Sequence, residues 1–529
     1  MNNTKTRWLN TLALALVLTP AVALRTIAAE KNEPKKQAIV KLGEDGKLKY
    51  EPDDRGNMIP DFSRCGYMGG GVKLPDLPVK LTLTPRPGME KELEYYSPDA
   101  PEMAGTGDDT ERIQKAIDTV SAMPLDKDGF RGAVLLKRGI YRVEGELDIK
   151  ASGVVLRGEG QGKDGTIIVA TSKKRVNLIK LGAWRKIEEM PDSRREIADS
   201  YVPWGIYAFN MKSTKGFSVG DKVVLYRPCT QNWLDDIHMS WKGMGKKEWK
   251  GKDYHFHFER QITAIDGNRI TIDGPTVNAM EDKYGGGFVY KYTEKGAISQ
   301  AGVENLRLIS AFVTKEKEGT TDDEHGWTGV KVSGCLNSWV RNVTTLHFGF
   351  GVVRIAGNSK YVTIQDCDYL KPHSRWYGGR RYPFQFDDAQ FCLIQRGRSE
   401  NSRHCNSCRA RVRGPNVYLD MSNGSGDTGP HHRWSMGILY DNCSGTHVAR
   451  NRKGMGSGHG WAGAQIVAWN PQGKLRGNRF HVQYGQPPTA RNYAFLKVKT
   501  RSLYIKQLEE RLGKEALENV FTEKQLRNR

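Results

Sequence analysis

Short apolar runs separated by glycine-rich turns dominate the chain from residue 132 onward. The first of them are three to five residues long and lie at 133–136, 139–143, 147–149, 154–158 and 166–169. Runs of this length bounded by turn residues are typical of β-strands. No segment with helical periodicity lies between them, so the pattern does not predict the alternating strands and helices of a parallel α/β sheet.

The apolar runs return after about residue 301 with a regular spacing. Val340 and Val362 are 22 residues apart, Leu393 and Val417 are 24 apart, and Val417 and Ile438 are 21 apart. A repeat of about 20–25 residues with one core strand predicts a solenoid. Near the strand ends lie five asparagines, which either stack as a ladder or serve as ordinary turn residues: Asn342, Asn442, Asn451, Asn470 and Asn478.

Other patterns flank and interrupt this predicted solenoid. At 108–118, Asp or Thr precedes apolar positions at helical spacing, which predicts a short amphipathic helix. The charged, leucine-bearing tail predicts one or two further helices. The expected organisation is an extended segment at 30–107, the helix and first coils at 108–170, a β-rich insertion at 171–300, further coils at 301–495 and the helical tail at 496–529.

The first 29 residues have the pattern of a secretory signal. Lys5 and Arg7 precede an apolar stretch at 9–18, and small residues at 21–23 or at Ala29 offer cleavage sites. The stretch is too short to span a membrane. We therefore expect a cleaved signal peptide, a secreted or periplasmic protein, and no stable membrane insertion.

The chain is strongly basic, with a formal net charge of +21. Residues 371–413 hold ten Lys or Arg against three acidic residues. Such a field attracts polyanions. Because export argues against nucleic acid, the expected partner is an acidic polysaccharide with uronate or sulfate groups. The pattern makes no prediction of oligomeric state.

Eight cysteines permit disulfides in an exported chain, but the sequence does not assign their pairing. Cys405 and Cys408 form a CxxC with no second pair at zinc-ligand spacing, so either a local disulfide or buried thiols are expected. Four cysteines beside apolar runs are interpreted as core residues: Cys335, Cys367, Cys392 and Cys443.

The helix at 108–118, the strand pair at 132–141 and the segment 147–160 resemble the start of right-handed parallel β-helix proteins of the pectate-lyase-like superfamily. The later coils fit the same architecture by their spacing. The resemblance implies an all-β solenoid whose first coil is capped by the helix. This superfamily includes polysaccharide lyases, glycoside hydrolases, esterases, adhesins and tailspikes, so the fold alone does not choose among these functions.

The densest group of polar side chains lies between 371 and 461, where six of the 12 histidines fall. His404 and His431 are 27 residues apart, as are His432 and His459, so successive coils are expected to bring them to one groove. A Trp- and His-rich loop at 232–258 either overhangs this groove or packs internally. The predicted substrate-binding residues are Lys371, His373, Arg380, Arg381, Arg413, Trp434 and Trp461.

Such a groove suits β-elimination from a uronate. The substrate carboxylate must be neutralised before the adjacent proton can be removed, and arginine or protonated histidine does this by hydrogen bonding. A base then takes the proton and an acid protonates the leaving oxygen. The candidates are His431 or His432 for the base, with His404 and His459 as alternatives; Arg403 and Arg433 for the carboxylate; and Tyr440 or Tyr382 for the acid.

Two other functions remain open. Glycoside hydrolysis needs two carboxyl groups at a defined separation. Asp387-Asp388 and His459 between two glycines resemble elements of polygalacturonase-type hydrolases, but the Asn-Thr-Asp and Arg-Ile-Lys elements of that family are missing. A non-catalytic polysaccharide-binding protein would keep the basic groove without a competent base. Bound Ca²⁺ is a further possibility, with candidate ligands Asp387, Asp388, Asp420 and Asp427.

Overall fold

A computed structural model of the chain describes residues 38–88, 107–240, 248–313, 321–477, 493–496 and 498–527. All of them belong to one compact unit that spans residues 33–529. The predicted signal peptide at 1–29 lies outside the described residues.

Two parallel sheets form the body of the protein. In each of them, strands of successive coils pair in parallel, one coil above the next. The larger sheet contains Val79–Leu83, Gly132–Leu136, Gly139–Val143, Val154–Arg157, Thr166–Ala170, Ile298–Ser299, Gly302–Ser310, Cys335–Leu346, Ser359–Gln365, Asp368–Leu370, Ala389–Gln390, Cys392–Gln395, Arg398–Ser399, Arg413–Leu419, Ser422–Asn423, Ser435–Asp441, Gly463–Trp469 and Tyr493–Leu496. The smaller sheet contains Leu147–Ile149, Val176–Gly182, Gly326–Ser333, Gly351–Ala356, Phe384–Phe386, His404–Cys408, Asp427–Pro430, Thr446–Ala449 and Leu475–Gly477. This is the predicted parallel β-helix.

The interior is built from side chains stacked at equivalent positions of the coils. One column on the larger sheet runs through Val134, Leu156, Val303, Val340, Ile364, Ile394, Tyr418, Tyr440 and Ala468. All of these residues are buried in the main core. Because side chains alternate across a strand, each neighbouring residue points outward. The outward column is also largely apolar, as expected for a sheet that is covered on both faces.

Each coil of the larger sheet turns at a corner residue in the left-handed backbone region, with φ between 44° and 60°. The corner residues are Asn305, Asn342, Asp366, Arg396, Asp420, Asn442 and Asn470. Asparagine and aspartate tolerate this conformation better than most residues. One asparagine rung is formed, because Asn342 Nδ2 donates to Asn305 Oδ1 at 2.9 Å. The predicted ladder is therefore short: Asn451 lies elsewhere, in an antiparallel bridge with Trp461, and Asn478 is outside the described residues.

Replacing Asn342 with valine is expected to destabilise the fold by about 1–2 kcal/mol, because a β-branched residue is strained at positive φ. It also removes the hydrogen bond to Asn305. Asn342→Gly removes the same hydrogen bond without the backbone strain and should cost less. Denaturant unfolding of the three proteins measures the difference. Equal stability of the valine and glycine variants would show that the corner conformation carries no cost.

An insertion separates the early coils from the later ones. The coils run on to Gly182, beyond the predicted boundary at 170, and resume at Ile298. The insertion contains antiparallel strands at Lys186–Glu189, Arg195–Glu196, Tyr201–Val202, Ala208–Asn210, Lys222–Arg227, Phe256–Asp266, Arg269–Ile272, Met280–Glu281 and Phe288–Lys295, with helix Gln231–Asp236 and short 3₁₀ turns Gly251–Asp253 and Asp282–Tyr284. Its apolar core includes Trp434, Met436 and Trp461 of the coils, so the insertion packs directly on the β-helix.

Helices cover one end and one side of the coils. Helix Thr110–Ser121 buries Ile113, Ile117 and Val120 in the first coils and is the predicted cap. The tail forms Leu503–Leu512, Glu515–Glu518 and Glu523–Leu526, which agrees with the predicted helical tail. In the described part of the chain, no helix is long and apolar enough to cross a bilayer.

The segment before the cap is more than a lead-in. A hairpin of strands Ile39–Leu42 and Leu48–Glu51 is followed by residues 52–78, here called the strap, which contain the 3₁₀ turn Tyr67–Gly69. The strap and the tail pack on the outward apolar column of the larger sheet. Phe62 and Leu508 cover Val417, Leu439 and neighbouring residues. This coverage explains why the outward positions of those strands are apolar.

All eight cysteines are buried free thiols. Cys405 and Cys408 point to opposite faces of strand His404–Cys408. The Sγ of Cys405 lies 2.7 Å from the carbonyl oxygen of Ser425, and that of Cys408 lies 3.6 Å from the hydroxyl of Tyr440. Of the two expectations for the CxxC, the structure therefore has buried thiols, and the four cysteines beside apolar runs are core residues as predicted.

Candidate functional site

A groove with two lobes runs over the outer face of the smaller sheet and the turns beside it. The first lobe has a volume of about 570 Å³ and the second about 690 Å³. Both volumes are in the range of pockets that hold small ligands. The first lobe is lined by Phe350, Arg354, Gly378, Gly379, Tyr382, Gln385, Arg403, Arg409, His431, His432, Arg452, Gly456 and His459. Arg409 and His432 line both lobes, so the two lobes are continuous.

The parallel register brings residues distant in sequence to this groove. Arg354, Gln385 and Ser407 occupy equivalent outward positions of three successive coils, whereas Phe384 and Phe386 point into the core. Tyr382 and Arg403 come immediately before such strands, and His431 immediately follows one. Because neighbouring strands are about 4.8 Å apart, each coil adds one layer of side chains to the groove.

Four of the predicted histidines form one cluster at the first lobe. The ring centroids of His404 and His431 are 4.6 Å apart, those of His431 and His432 are 4.7 Å apart, and those of His432 and His459 are 4.8 Å apart. His431 and His459 are also within 5.0 Å. The spacing of 27 residues thus corresponds to side chains that meet in space.

A tyrosine completes the cluster. The hydroxyl of Tyr382 lies 3.2 Å from Nε2 of His431. The ring of Tyr382 stacks on Phe350, with centroids 5.3 Å apart, and lies 4.8 Å from His404. Tyr382 is buried, and burial raises the pKa of its hydroxyl. At neutral pH the hydroxyl is therefore protonated and able to donate a hydrogen bond.

The environment keeps these histidines neutral. Burial, helped by neighbouring histidines and arginines, lowers the pKa of His432 to about 3 and that of His459 to about 4. The pKa values of His431 and His404 are lowered for the same main reason. A neutral imidazole can accept a proton, whereas an imidazolium cannot, so the cluster is suited to a general base.

Stability is expected to fall as the pH drops below the ordinary histidine pKa of 6.5, because the unfolded chain binds protons there that the folded His432 does not bind until about pH 3. Replacing His432 with asparagine removes this group. The variant should lose less stability than the wild type between about pH 7 and about pH 5. Urea unfolding at the two pH values measures it, and equal losses in both proteins would contradict the neutral state of His432.

A carboxylate supports the cluster from behind. Asp427 Oδ2 lies 3.5 Å from Nδ1 of His404 and 2.9 Å from Nη2 of Arg450. These neighbours lower the pKa of Asp427, although burial opposes them. Asp427 therefore holds His404 and Arg450 in place.

The groove also holds cations without carboxylate partners. Arg354 and Arg409 both pair with Asp387. By contrast, Arg403 and Arg452 form no ion pair within the described residues. Burial lowers the pKa of Arg452 to about 10, which still leaves it charged at neutral pH. The groove therefore presents two uncompensated positive charges beside the Tyr382–His431 pair.

Several buried polar atoms at the groove find no hydrogen-bond partner among the described residues: Arg403 Nη1, His404 Nε2, His432 Nδ1, Arg433 Nε, Arg450 Nε and His459 Nδ1. Buried polar groups are nearly always satisfied in folded proteins. A concentration of such atoms around one groove indicates a site that binds a polar ligand or water. Most of them are N–H donors or belong to cations, so the fitting ligand is an anion.

Three predicted site residues are structural instead. Tyr440 belongs to the interior column and stacks on Tyr418 at 5.3 Å, so its assignment as a groove acid is wrong. Trp434 is fully buried edge-on against Trp233 of the insertion. The indole nitrogen of Trp461 donates to the carbonyl of Ile237. The two tryptophans join the coils to the insertion and do not contact the groove.

Two other predicted residues lie at the second lobe. The Arg413 guanidinium is mostly buried and bonds to Asp388, Asn358 and the carbonyl of His257, so it ties the insertion to the coils. Arg433 donates to the carbonyl of Ser457. Both residues line the second lobe.

The residues predicted at 371–381 do not line the groove. His373 stacks on Phe312 at 3.7 Å and is close to His325, and the carbonyl of Lys371 bonds to His347. Burial lowers the pKa of His373 to about 4. Arg380 pairs with Asp323, and Arg381 donates to the carbonyl of Ser374. Their direct roles in substrate binding are not supported; they fix a loop of which Gly378 and Gly379 reach the first lobe.

The carboxylates proposed for Ca²⁺ are all engaged by arginine. Asp387 pairs with Arg354 and Arg409, Asp388 with Arg413, Asp420 with Arg501, and Asp427 with Arg450. Over the described ranges, no group of three or more His, Cys, Asp or Glu has an arrangement that could hold a metal ion. These four aspartates therefore do not fit a Ca²⁺ site.

Sequence reasoning missed Phe350, Arg354, Arg409 and Arg452 as groove residues. Arg354 carried a usable signal, because a lone arginine inside the apolar run 352–355 must point away from the core. The loop of the insertion at 232–258 behaves in both predicted ways. Trp233 and Trp249 are buried, and His255 lines the second lobe.

No protein-family model matches the chain, and no curated protein matches it. Solved structures resemble it at low identity. A tailspike of Acinetobacter baumannii bacteriophage AP22 is 8% identical with a TM-score of 0.27, over 70% of this chain and 66% of that one. The mannuronan C-5 epimerase AlgE4 A-module of Azotobacter vinelandii is 14% identical with a TM-score of 0.25, over 70% and 73%. An exopolygalacturonase of Thermotoga maritima is 10% identical with a TM-score of 0.31, over 80% of each chain.

The chain thus spans just under two thirds of the length of the AP22 tailspike. All three are right-handed parallel β-helix proteins of the pectate-lyase-like superfamily, and the predicted resemblance is confirmed as one of fold. The parallel register of the coils carries this assignment, and likeness at such identities bears on nothing beyond fold.

Proposed function

We propose that the protein is a carbohydrate-active enzyme, acting outside the cytoplasm, that cleaves an acidic polysaccharide containing uronate by β-elimination. The observation that carries the proposal is the Tyr382 hydroxyl 3.2 Å from His431 Nε2, in a groove with the uncompensated cations Arg403 and Arg452. The groove offers a neutral base, a protonated acid and positive charge, which are the three requirements of the reaction.

In the proposed reaction, Arg403 and Arg452 hold the uronate carboxylate and make the adjacent C5 proton more acidic. His431 Nε2 accepts this proton, and the C–H electrons form the C4–C5 double bond. The bond between C4 and the glycosidic oxygen breaks, and that oxygen takes the proton of the Tyr382 hydroxyl. The imidazolium of His431 then returns its proton to the tyrosinate, which restores both groups.

Hydrolysis receives less support from the same groove. It requires two carboxyl groups free to act as acid and as base or nucleophile. Asp387 is held by two arginines and Asp388 by Arg413. Asp427 is engaged by His404 and Arg450. The carboxylates near the groove are therefore committed to ion pairs.

The test is the ultraviolet absorbance of unsaturated uronate ends, after incubation with polygalacturonate, alginate, heparan sulfate and chondroitin sulfate. A rise on one of them is the expected result. New reducing ends without absorbance would replace the lyase with a hydrolase, and binding without either signal would leave a polysaccharide-binding protein. A parallel reaction with chelator tests Ca²⁺, since loss of the rate would require a cation at the carboxylate.

A further inference from the structure

The second lobe of the groove lies between the coils and the insertion. Lys252, Asp253 and His255 of the insertion form one wall, and Arg411 and Arg433 of the coils form the other. The walls are tied together, because Nη1 of Arg411 donates to the carbonyl of Asp253 at 2.7 Å. The insertion therefore builds part of the groove itself.

The acidic residues of this lobe are neutralised, and several of its cations are not. Asp387 and Asp388 pair with arginines of the coils. Lys252, Arg411 and Arg433 form no ion pair with any carboxylate in the parts of the chain that the structure describes. The guanidinium of Arg433 is held by the carbonyl of Ser457, while its buried Nε has no partner among those residues. The second lobe thus has an excess of positive charge of its own.

The two lobes can hold a single polymer chain. They meet at Arg409 and His432, which line both, and the volume of the second lobe, about 690 Å³, is at least that of the first. A polyuronate carries a negative group on successive sugars, so a chain with one carboxylate in the first lobe presents another to the second lobe.

We infer that the second lobe is an anionic-sugar subsite, built by the insertion, that makes the protein select long acidic chains over short ones. Lys252 and Arg411 contact the carboxylate or sulfate of a sugar remote from the cleaved bond. This inference rests on the proposed function, because it takes an acidic polysaccharide as the ligand of the first lobe.

The test is equilibrium binding of dimers and octamers of galacturonate and of mannuronate, by calorimetry, to full-length protein carrying Tyr382→Phe so that turnover does not interfere. The measured quantity is the ratio of the dimer Kd to the octamer Kd. Adding Lys252→Ala and Arg411→Ala should lower this ratio by about tenfold, since each contact is an exposed charge pair of modest strength. The matched control is Lys215→Ala with Arg269→Ala, which removes the same charge from exposed positions of the insertion away from the groove.

The outcomes separate the two proposals. A lower ratio in the Lys252/Arg411 variant but not in the control supports the subsite. If the octamer binds the parent tightly and the ratio is unchanged in the variant, the subsite is overturned while the proposed function stands. If neither octamer binds the parent, the acidic ligand itself is wrong and both proposals are overturned. Circular dichroism of each variant establishes that it is folded.

Discussion

Replacing Tyr382 with phenylalanine is expected to lower kcat by about 10²- to 10⁴-fold, the range typical of a lost general acid. The variant keeps the ring that stacks on Phe350 and loses only the hydroxyl beside His431. Because the carboxylate-binding arginines are untouched, KM should change little. Initial rates of absorbance increase on the substrate that the panel identifies give both constants.

A matched variant shows whether the effect is local. Tyr201→Phe removes a hydroxyl that bonds to Asn57 in the strap, far from the groove in the fold. It should retain the wild-type rate. Full activity of Tyr382→Phe would exclude the hydroxyl as the acid and would direct attention to His432 and His459, the other neutral bases of the first lobe.

Replacing Arg185 with methionine is expected to destabilise the protein by about 3–5 kcal/mol, the cost of leaving a buried charge without its partner. The guanidinium of Arg185 holds Glu259 through two hydrogen bonds of 2.9 and 2.7 Å, and both side chains are 1% exposed. It also bonds to Glu294 and to the carbonyl of Asn358. The residue therefore joins the insertion to the coils next to the groove.

Chemical denaturation measures the loss, with two comparisons. Arg138→Met breaks an exposed pair with Glu159 and should leave stability nearly unchanged. The double variant Arg185→Met with Glu259→Leu removes both charges and should recover part of the loss, because no buried carboxylate remains unpaired. Equal destabilisation by the single and the double variant would show that the packing of Arg185 matters and its charge does not.

The solenoid could be predicted because its signal repeats. Each coil contributes a short apolar strand, and inward residues such as Val340, Ile364 and Ile394 recur at nearly constant spacing. The cap and the tail carried helical periodicity. The strap carried no such signal, because residues 52–78 form almost no regular structure and are held by contacts with distant segments, such as the bond from Phe62 N to Gln507.

The site was predictable in its histidines and less so in their partners. Spacing brought His404, His431, His432 and His459 together, since equal offsets in a solenoid give equal positions on its surface. Tyr440 shares its strand parity with the core residue Ile438, and this could have marked it as inward. Trp434 is different: whether an outward tryptophan meets solvent or an insertion depends on a domain 200 residues earlier in the chain, which local pattern does not encode.

The strap and the tail have a consequence for the order of events during synthesis. The strap is translated before the coils, whereas its partner helix Leu503–Leu512, which supplies Gln507, is translated after them. Coils can stack as they leave the ribosome, because each needs only its neighbour. The apolar strip that includes Leu439, Val467 and Trp469 stays uncovered until the tail arrives. Completion of the fold is thus a single late docking step, and until then a nascent chain presents the kind of surface that chaperones recognise.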